Sequence, residues 1–186
     1  QDNLYTLAIL DEQVRYRVIG AMTRISTVTE GAWRETFLSP DLHLVTLTVT
    51  EKGYCLGASD ALDFAHPDIT ADLSDRSCPS SAIGLLVEGL RLRFAADLAP
   101  ITVLSCDNLP SNGQKLRNAV LAFSAVIDEK LFEWISTLIA FPCSMVDSIT
   151  PATDDALRTR VIASTGLEDS WPIQREAFTS WVIEDK

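Results

Sequence analysis

The sequence predicts an α/β fold, in which helices cross over between parallel strands, because two hydrophobic periods alternate along the chain. Residues 45–49 are apolar and β-branched, as in a buried strand. From Ser81 onward, apolar residues recur every three or four positions, which is the period of one helix face. A second apolar strand follows at residues 101–104. Strand, helix and strand in this order are typical of a parallel sheet with crossover helices.

The first half of the chain is predicted to begin with a β-hairpin. Residues 4–10 and 14–22 read as two strands, and the polar pair Glu12-Gln13 between them suits a tight connection. Residues 55–80 mix polar and apolar side chains with two prolines, which indicates a loop over the surface. Ser80 is placed to cap the helix that follows that loop.

The second half continues the alternation of strands and helices. Two apolar stripes of helical spacing predict two helices, and residues 139–148 indicate a strand or loop that reaches the same sheet edge. Asp154 and Asp155 suit the first turn of a further helix, and Gly166 suits its end. The stripes comprise Leu116, Val120, Phe123 and Ile127, then Leu131, Trp134, Ile135 and Leu138.

The composition argues against two classes of partner. The 186 residues carry a formal net charge of -11, whereas nucleic acid and anionic membrane surfaces attract basic proteins. No apolar run approaches the ~20 residues that a membrane-spanning helix needs. The chain also opens without the basic segment of a signal peptide. We therefore expect a cytoplasmic protein without a nucleic-acid or membrane partner.

The cysteines and histidines predict no metal site. Four cysteines and two histidines are present, and no two cysteines form a Cys-x-x-Cys pair, the spacing common in zinc sites. We interpret the cysteines as reduced thiols, with a catalytic or disulfide role as the alternative. His43 and His66 lie in no catalytic motif and are not candidates for a general base.

The segment from Ser105 to Gly113 is the strongest functional signal. It reads as the end of a buried strand, a polar turn and the start of a helix. In open α/β sheets, ligands bind in the crevice beyond the carboxyl ends of the strands. Asp107 and Asn108, in that turn, are therefore the first candidates for contact with a small molecule.

Four groups of motifs follow one another along the chain. They are Leu47 to Tyr54; Ser105 to Pro110 with Asn112-Gly113; Phe141-Pro142 with Met145 to Asp147 and Ile149 to Ala152; and Arg175 to Phe178 with Trp181 to Asp185. In this order they resemble the polyol-specific long-chain dehydrogenase family of mannitol 2-dehydrogenases and fructuronate reductases. The resemblance covers nearly the whole chain, and the ordered set is far more specific than any one motif.

The resemblance implies an NAD-dependent oxidoreductase that moves a hydride, without metal, between the cofactor and a secondary alcohol or ketone of a polyol or hexuronate. It implies that residues 1–186 are part of a Rossmann-like, doubly wound N-terminal domain. The first nucleotide-binding βαβ unit, with its Gly-rich turn, would then precede this chain, and a helical C-terminal domain with the catalytic lysine would follow it. NADP is the alternative cofactor, because the residue that discriminates follows the second strand of that unit.

Three residues are implied to contact the substrate. Asn108 matches an asparagine that stabilises the alkoxide-like oxygen, since a neutral amide can donate to developing negative charge. Its alternative role is to fix its own turn before Pro110. Asp147 matches a carboxylate that accepts hydrogen bonds from sugar hydroxyls, with a helix cap or a surface charge as alternatives, and Val146 forms an apolar wall beside it.

The resemblance also implies a cofactor contact. Thr50 and Glu51 end a strand and are expected near the nicotinamide ribose, with a solvated charged turn as the alternative. Asp107 is interpreted as a residue that orients Asn108 or contacts a helix N-terminus. The segment from Trp181 to Asp185 is expected to pack where the second domain docks, and Trp181 is interpreted as a core residue, with contact to a ligand as the alternative.

Two positions depart from the family pattern and leave the substrate class open. Ser148 stands where an arginine commonly follows the Asp, and Ala177 stands where proline is common. Loss of the arginine would weaken the anchoring of an acidic substrate. The Gly-rich turn and the catalytic lysine that the resemblance implies lie outside residues 1–186, which favours a first rival hypothesis, a catalytically inactive remnant or binding-only domain. A second rival, on fold analogy alone, is a Rossmann-like module for another nucleotide.

Overall fold

The computed structural model describes residues 3–185 of the chain. Strands and helices alternate along it, which confirms the predicted α/β class. Short 3₁₀ turns occupy Val28–Glu30 and Glu51–Tyr54. In chain order the elements are β1 (Tyr5–Leu10), β2 (Arg15–Ile19), α1 (Ala32–Phe37), β3 (Leu44–Leu47), α2 (Pro67–Ser74), α3 (Ala82–Ala95), β4 (Thr102–Ser105), α4 (Asn112–Ile127), α5 (Glu129–Leu138), β5 (Ser144–Asp147), α6 (Asp155–Thr165), β6 (Ile173–Glu176) and β7 (Ser180–Ile183).

Two compact units are formed, and each draws on separate parts of the sequence. The larger unit comprises residues 26–145 and the residues from 182 onward. The smaller unit comprises the residues up to 25 and residues 146–181. Strands β5 and β7 pair with each other.

The larger unit is built on parallel strands. β3 pairs with β4 in parallel, from Leu44 opposite Thr102 to Leu47 opposite Ser105. Ala140 adds a parallel bridge to Thr102 on the other side of β4. Buried apolar side chains of α3 and α4 cover these strands and form the main core. The predicted crossover helices are therefore present, because their apolar stripes need the sheet to exclude water.

The smaller unit contains the predicted hairpin. β1 pairs with β2 in antiparallel fashion and with β6 in parallel, which gives the strand order β2-β1-β6. Ala8 of β1 packs against Leu157 and Val161 of α6, and all three are buried. Gly166 ends α6 with φ of 72°, a left-handed conformation that glycine adopts readily. The predicted end of this helix is thus correct.

The surface loop predicted for residues 55–80 is only partly correct, because α2 interrupts it. Pro67 occupies the first turn of α2, where its missing N–H costs no hydrogen bond. The Nδ1 atom of His66 caps the same turn by accepting a hydrogen bond from the backbone N–H of Asp68 (3.2 Å). The prolines indicate a loop in the sequence, but one of them starts a helix.

The cap of α3 is Ser81, so the prediction of Ser80 is wrong by one residue. The Ser81 hydroxyl accepts from the backbone N–H of Gly84 (2.8 Å) and donates to buried Asp72 (2.6 Å). Asp72 also accepts from the backbone N–H groups of Ser80 (2.6 Å) and Ser81 (3.0 Å). This carboxylate therefore fixes the entry of the chain into α3.

Ser81→Ala should lower the free energy of unfolding by about 1–2 kcal/mol, because the helix loses its cap and Asp72 loses a donor. Ser80→Ala is the matched control: Ser80 is exposed, so we expect a change below about 0.5 kcal/mol. Urea unfolding of both variants measures the difference. Equal losses in the two variants would contradict the assignment of the cap.

Within residues 3–185, no helix is both long and apolar enough to cross a membrane.

Candidate functional site

The candidate site lies at the carboxyl edge of the parallel pair β3 and β4. The backbone N–H of Cys106 donates to the carbonyl of Leu47 (2.8 Å), which joins the two strands at their ends. The segment with Thr50 and Glu51 follows β3, and the segment with Asp107 and Asn108 follows β4. Two of the predicted site segments therefore leave the same sheet edge, the usual place for a ligand in such a sheet.

Asp107 is the hub of this edge. Its Oδ2 atom accepts hydrogen bonds from the hydroxyls of Tyr54 and Ser105, the latter at 2.7 Å. Its Oδ1 atom accepts from the backbone N–H of Leu109 (2.8 Å) and from the side-chain amide of Asn112 (3.4 Å). Four donors thus converge on one carboxylate, which points inward to the protein and not outward to a ligand.

The protonation of Asp107 follows from these contacts. Partial burial acts to raise its pKa, but the hydrogen bonds from Tyr54, Ser105, Leu109 and Asn112 outweigh burial and hold the pKa below its ordinary value. Burial, together with the hydrogen bond to Asp107, raises the pKa of the Tyr54 hydroxyl well above its ordinary value. Asp107 is consequently an anion at neutral pH, and Tyr54 is a neutral donor.

Asn112, the first residue of α4, connects this hub to β5. Its side-chain amide donates to the carbonyls of Asp107 (3.1 Å) and Ser144 (2.9 Å). Its side-chain oxygen accepts from the backbone N–H groups of Gly113 (2.8 Å) and Ser144 (3.0 Å). Asn112 is fully buried, and both ends of its amide are satisfied.

Asn108 differs from Asp107 and Asn112, whose side chains are both held by hydrogen bonds. Its side chain is exposed and makes no hydrogen bond with any residue in the described range 3–185. The alternative that Asn108 fixes its own turn is therefore wrong, because Asp107 and Asn112 hold that turn. The amide of Asn108 is left available to a ligand at the strand edge.

Thr50 and Glu51 start the 3₁₀ turn that follows β3. The carbonyl of Thr50 accepts from the backbone N–H of Gly53 (2.8 Å), and the side chains of Thr50 and Glu51 are exposed. At the end of the same turn, Tyr54 points into the protein toward Asp107. The turn thus presents two polar side chains to solvent while its last residue anchors it.

Val146 and Asp147 are the last two residues of β5. Val146 is partly buried, and Asp147 is exposed with no hydrogen bond to the rest of the described chain. Asp147 does not cap a helix, because the cap of α6 is Asp154, which accepts from the backbone N–H of Leu157 (2.7 Å). Of the alternatives for Asp147, only the surface charge is compatible with this geometry.

The end of the chain departs from one expectation. Trp181 is 54% exposed, so its interpretation as a core residue is wrong. The Ser148 hydroxyl, at the position where arginine is common, donates to the carbonyl of Phe178 (3.1 Å). Glu176 accepts from the backbone N–H of Ile149 (2.6 Å), so this carboxylate holds the segment after β5.

Cys55, His66 and Asp68 place possible metal-ligand atoms within 4.8 Å of one another. In the structure, His66 and Cys55 have other surroundings than metal ligands need. The Nδ1 atom of His66 accepts from the backbone of Asp68, as described for α2. Burial, with the nearby charges of Asp68, Asp72 and Asp63, raises the pKa of the Cys55 thiol and keeps it protonated. The His66 nitrogen therefore already has a structural role at the start of α2, and the three residues carry no proposal of a metal site.

Asp107→Asn should lower the free energy of unfolding at pH 7 by about 2 kcal/mol, because hydrogen bonds to a charged acceptor are lost. The pKa of Asp107 is lower in the folded protein, so its contribution is present above about pH 4 and is lost as the pH falls below that value. The difference between wild type and variant should therefore shrink as the pH is lowered below about 4. Denaturation at several pH values tests this.

Asp147→Asn is the control for that experiment. It removes an exposed carboxylate without a hydrogen-bond partner, so its effect should stay below about 0.5 kcal/mol at neutral pH. A difference between wild type and Asp107→Asn that is constant down to pH 2 would show that the charge of Asp107 is not the stabilising element.

Sequence reasoning missed four residues of this site. Tyr54, Ser105, Asn112 and Ser144 form the network, although the first three belong to motifs already singled out. A signal was present in Ser105 and Asn112, because polar residues at a buried strand end and a helix start need partners. The partners themselves lie far away in the sequence.

Comparison with known proteins identifies similar sequences. The family model described as the mannitol dehydrogenase Rossmann domain matches residues 1–186. A mannitol 2-dehydrogenase of Phaeosphaeria nodorum is 42% identical over 190 residues, a match that covers 100% of this chain and 34% of the relative. The chain therefore spans about a third of the length of that protein.

Two solved structures are similar in fold. The crystal structure of a D-sorbitol dehydrogenase in substrate-free form matches with a TM-score of 0.95 and 34% identity, over 100% of this chain and 40% of that one. The ternary complex of Pseudomonas fluorescens mannitol 2-dehydrogenase with NAD and D-mannitol matches with a TM-score of 0.93 and 39% identity, over 100% and 39%. The predicted Rossmann-like class agrees with both.

Proposed function

The chain belongs to the mannitol dehydrogenase family, whose Rossmann-domain model covers residues 1–186, and we propose that it forms part of the cofactor-binding domain of an NAD-dependent polyol dehydrogenase. The enzyme would interconvert a secondary alcohol and a ketone on a sugar alcohol. NAD and D-mannitol are both bound in the structure of a relative that is 39% identical. This relative supports NAD as the cofactor and a polyol as the substrate.

The single observation that carries the proposal is the unused amide of Asn108. It stands at the carboxyl edge of a parallel strand pair, in a turn that Asp107 and Asn112 hold rigidly. An exposed amide on a fixed backbone can donate to the substrate oxygen as negative charge develops there, with little reorganisation. Asn108 is therefore proposed as the catalytic residue that this chain supplies.

The cofactor contact is proposed for Thr50 and Glu51. Both side chains are exposed at the same strand edge as Asn108. A hydroxyl and a carboxylate can bind the hydroxyl groups of a ribose, which donate and accept hydrogen bonds. The nicotinamide ring would then lie near Asn108, so that hydride could pass between the ring and the substrate carbon that bears the reacting oxygen.

Asp147 and Val146 are proposed to bind the substrate. The Asp147 carboxylate can accept hydrogen bonds from two neighbouring hydroxyls of a polyol, and Val146 offers an apolar surface to the carbon chain. No arginine follows Asp147, since Ser148 occupies that position. The site therefore favours a neutral polyol over a hexuronate, whose carboxylate would need a cation.

Asp147→Ala in the complete protein should raise the KM for the polyol about tenfold, because a charged acceptor of substrate hydroxyls is lost. The KM for NAD should change less than twofold. Steady-state kinetics with each reactant varied in turn measure both constants. An unchanged KM for the polyol would contradict this role.

The proton and the rest of the polypeptide complete the proposal. In the oxidation direction, hydride leaves the carbinol carbon for the nicotinamide ring, and the hydroxyl proton passes to a base. By family resemblance, that base is a lysine of a helical C-terminal domain outside these residues.

The exposed apolar side chains of β7, Trp181, Val182 and Ile183, support a surface that another domain covers. Four free cysteines suit the reducing cytoplasm.

The test is an assay of the full-length polypeptide that contains this chain. NADH should form when NAD is added with mannitol or sorbitol. Formation of NADPH from NADP, and consumption of NADH with a hexuronate in the reverse reaction, should both be slower. A folded protein that oxidises no polyol would contradict the proposal. If that protein also fails to bind NADH, the inactive-remnant hypothesis is supported instead.

A further inference from the structure

Tyr54 connects the two halves of the proposed site. It is the last residue of the 3₁₀ turn that begins with Glu51, and it is 0% exposed. Its hydroxyl donates to Asp107 and contacts the hydroxyl of Ser105. The turn proposed to bind the cofactor is therefore tied, through one side chain, to the turn that carries Asn108.

Asp107 holds the backbone on both sides of Asn108. It precedes Asn108 directly, and its side chain accepts from the backbone N–H of Leu109, the following residue (2.8 Å). Its own carbonyl accepts from the side-chain amide of Asn112 (3.1 Å). The three-residue segment 107–109 is thus closed by hydrogen bonds that leave only the Asn108 side chain unconstrained.

We propose that Asp107, held by the Tyr54 hydroxyl, is a positioning residue that sets the place of the Asn108 amide relative to the cofactor-binding turn. This inference rests on the proposed function. The ionised carboxylate touches no reacting atom and acts through Asn108. Small displacements of a catalytic donor reduce turnover strongly, because stabilisation of the transition state depends on geometry.

The kinetic signature of such a role is specific. Binding of polyol and NAD uses other side chains, so the KM values should stay close to those of wild type, while kcat should fall. In the full-length enzyme we expect Tyr54→Phe and Asp107→Asn to lower kcat about tenfold, with KM values within twofold of wild type. Tyr54→Phe keeps the buried ring, so it serves if Asp107→Asn does not fold.

A double variant separates positioning from a merely structural role. If Asp107 acts through Asn108, Asp107→Asn combined with Asn108→Ala should have the same kcat as Asn108→Ala alone. Asp72→Asn is the matched control: Asp72 is also a buried carboxylate with several donors, but it holds the chain at its entry into α3 and has no hydrogen bond to the Asn108 turn. Its kcat should equal that of wild type.

The outcomes are distinguishable. An active wild type whose kcat does not change in Tyr54→Phe and Asp107→Asn would overturn the positioning role and leave the proposed function standing. Losses that multiply in the double variant would also overturn it. A folded wild type without NAD-dependent polyol oxidation would overturn the proposed function, and the positioning role with it.

Discussion

Asn108→Ala should lower kcat of the full-length enzyme by about tenfold to a thousandfold, the range found when one donor to a developing oxyanion is lost. The amide makes no hydrogen bond within residues 3–185, so its removal should leave the fold unchanged. The KM values should change little, because the interaction strengthens as charge develops on the substrate oxygen. Initial rates over a range of polyol concentrations give both constants.

The control for this variant is Asn118→Ala. Asn118 is another exposed asparagine of the larger unit, on α4, and its side chain accepts a hydrogen bond from Gln114 (2.9 Å). We expect its kcat to equal that of wild type. If Asn108→Ala folds normally and retains full turnover, Asn108 is not the oxyanion donor, and the proposed catalytic contribution of this chain is wrong.

Gly113→Ala should destabilise the protein by about 3 kcal/mol, the upper end of the usual cost of overpacking. A Cβ atom at Gly113 would overlap the carbonyl oxygen of Pro142 and would lie 2.7 Å from the backbone nitrogen of Cys143. Both are backbone atoms, so no side-chain rotation relieves the overlap. The start of α4 and the segment before β5 would have to move apart.

This result has the opposite sign to the one that helix propensity predicts. Alanine inside a helix is favoured over glycine by up to about 1 kcal/mol. Gly57→Ala is the control, since its Cβ would meet its nearest neighbour at 3.8 Å, an ordinary contact. Urea unfolding of both variants should show a large loss for Gly113→Ala and a small change for Gly57→Ala. A stable Gly113→Ala would contradict the close approach of the two segments.

The spacing of the apolar residues along the chain predicted most of the fold. The hairpin and α3 could be predicted because a buried face produces a regular spacing of apolar residues along the sequence. Helix α2 and the cap at Ser81 were not, because each depends on one side chain that meets a local backbone group. The exposure of Trp181 was missed for a different reason: residue type alone does not show what covers a side chain.

The site was accessible only in part. Asn108, Thr50 and Glu51 follow predicted strands, so topology placed them at one edge. The roles of Asn108 and its neighbours stay predictions until kinetics test them. The network behind them was beyond sequence reasoning, because Tyr54 and Asp107 lie 53 positions apart, and Asn112 and Ser144 lie 32 apart. Hydrogen bonds of that range follow from packing and leave no local pattern.

The amide of Asn112 has a consequence for the redesign of substrate range. It uses its donor and acceptor ends at once, and no other side chain offers both at that length: aspartate lacks the donor, leucine lacks both, and glutamine is longer by one methylene. A mutant library that varied Asn112, Asp107 or Gly113 would consist mainly of destabilised proteins. Val146 and Ser148 lie outside that hydrogen-bond network. A library at the proposed substrate site would therefore vary these two positions, at the cost of the hydrogen bond from Ser148 to the carbonyl of Phe178.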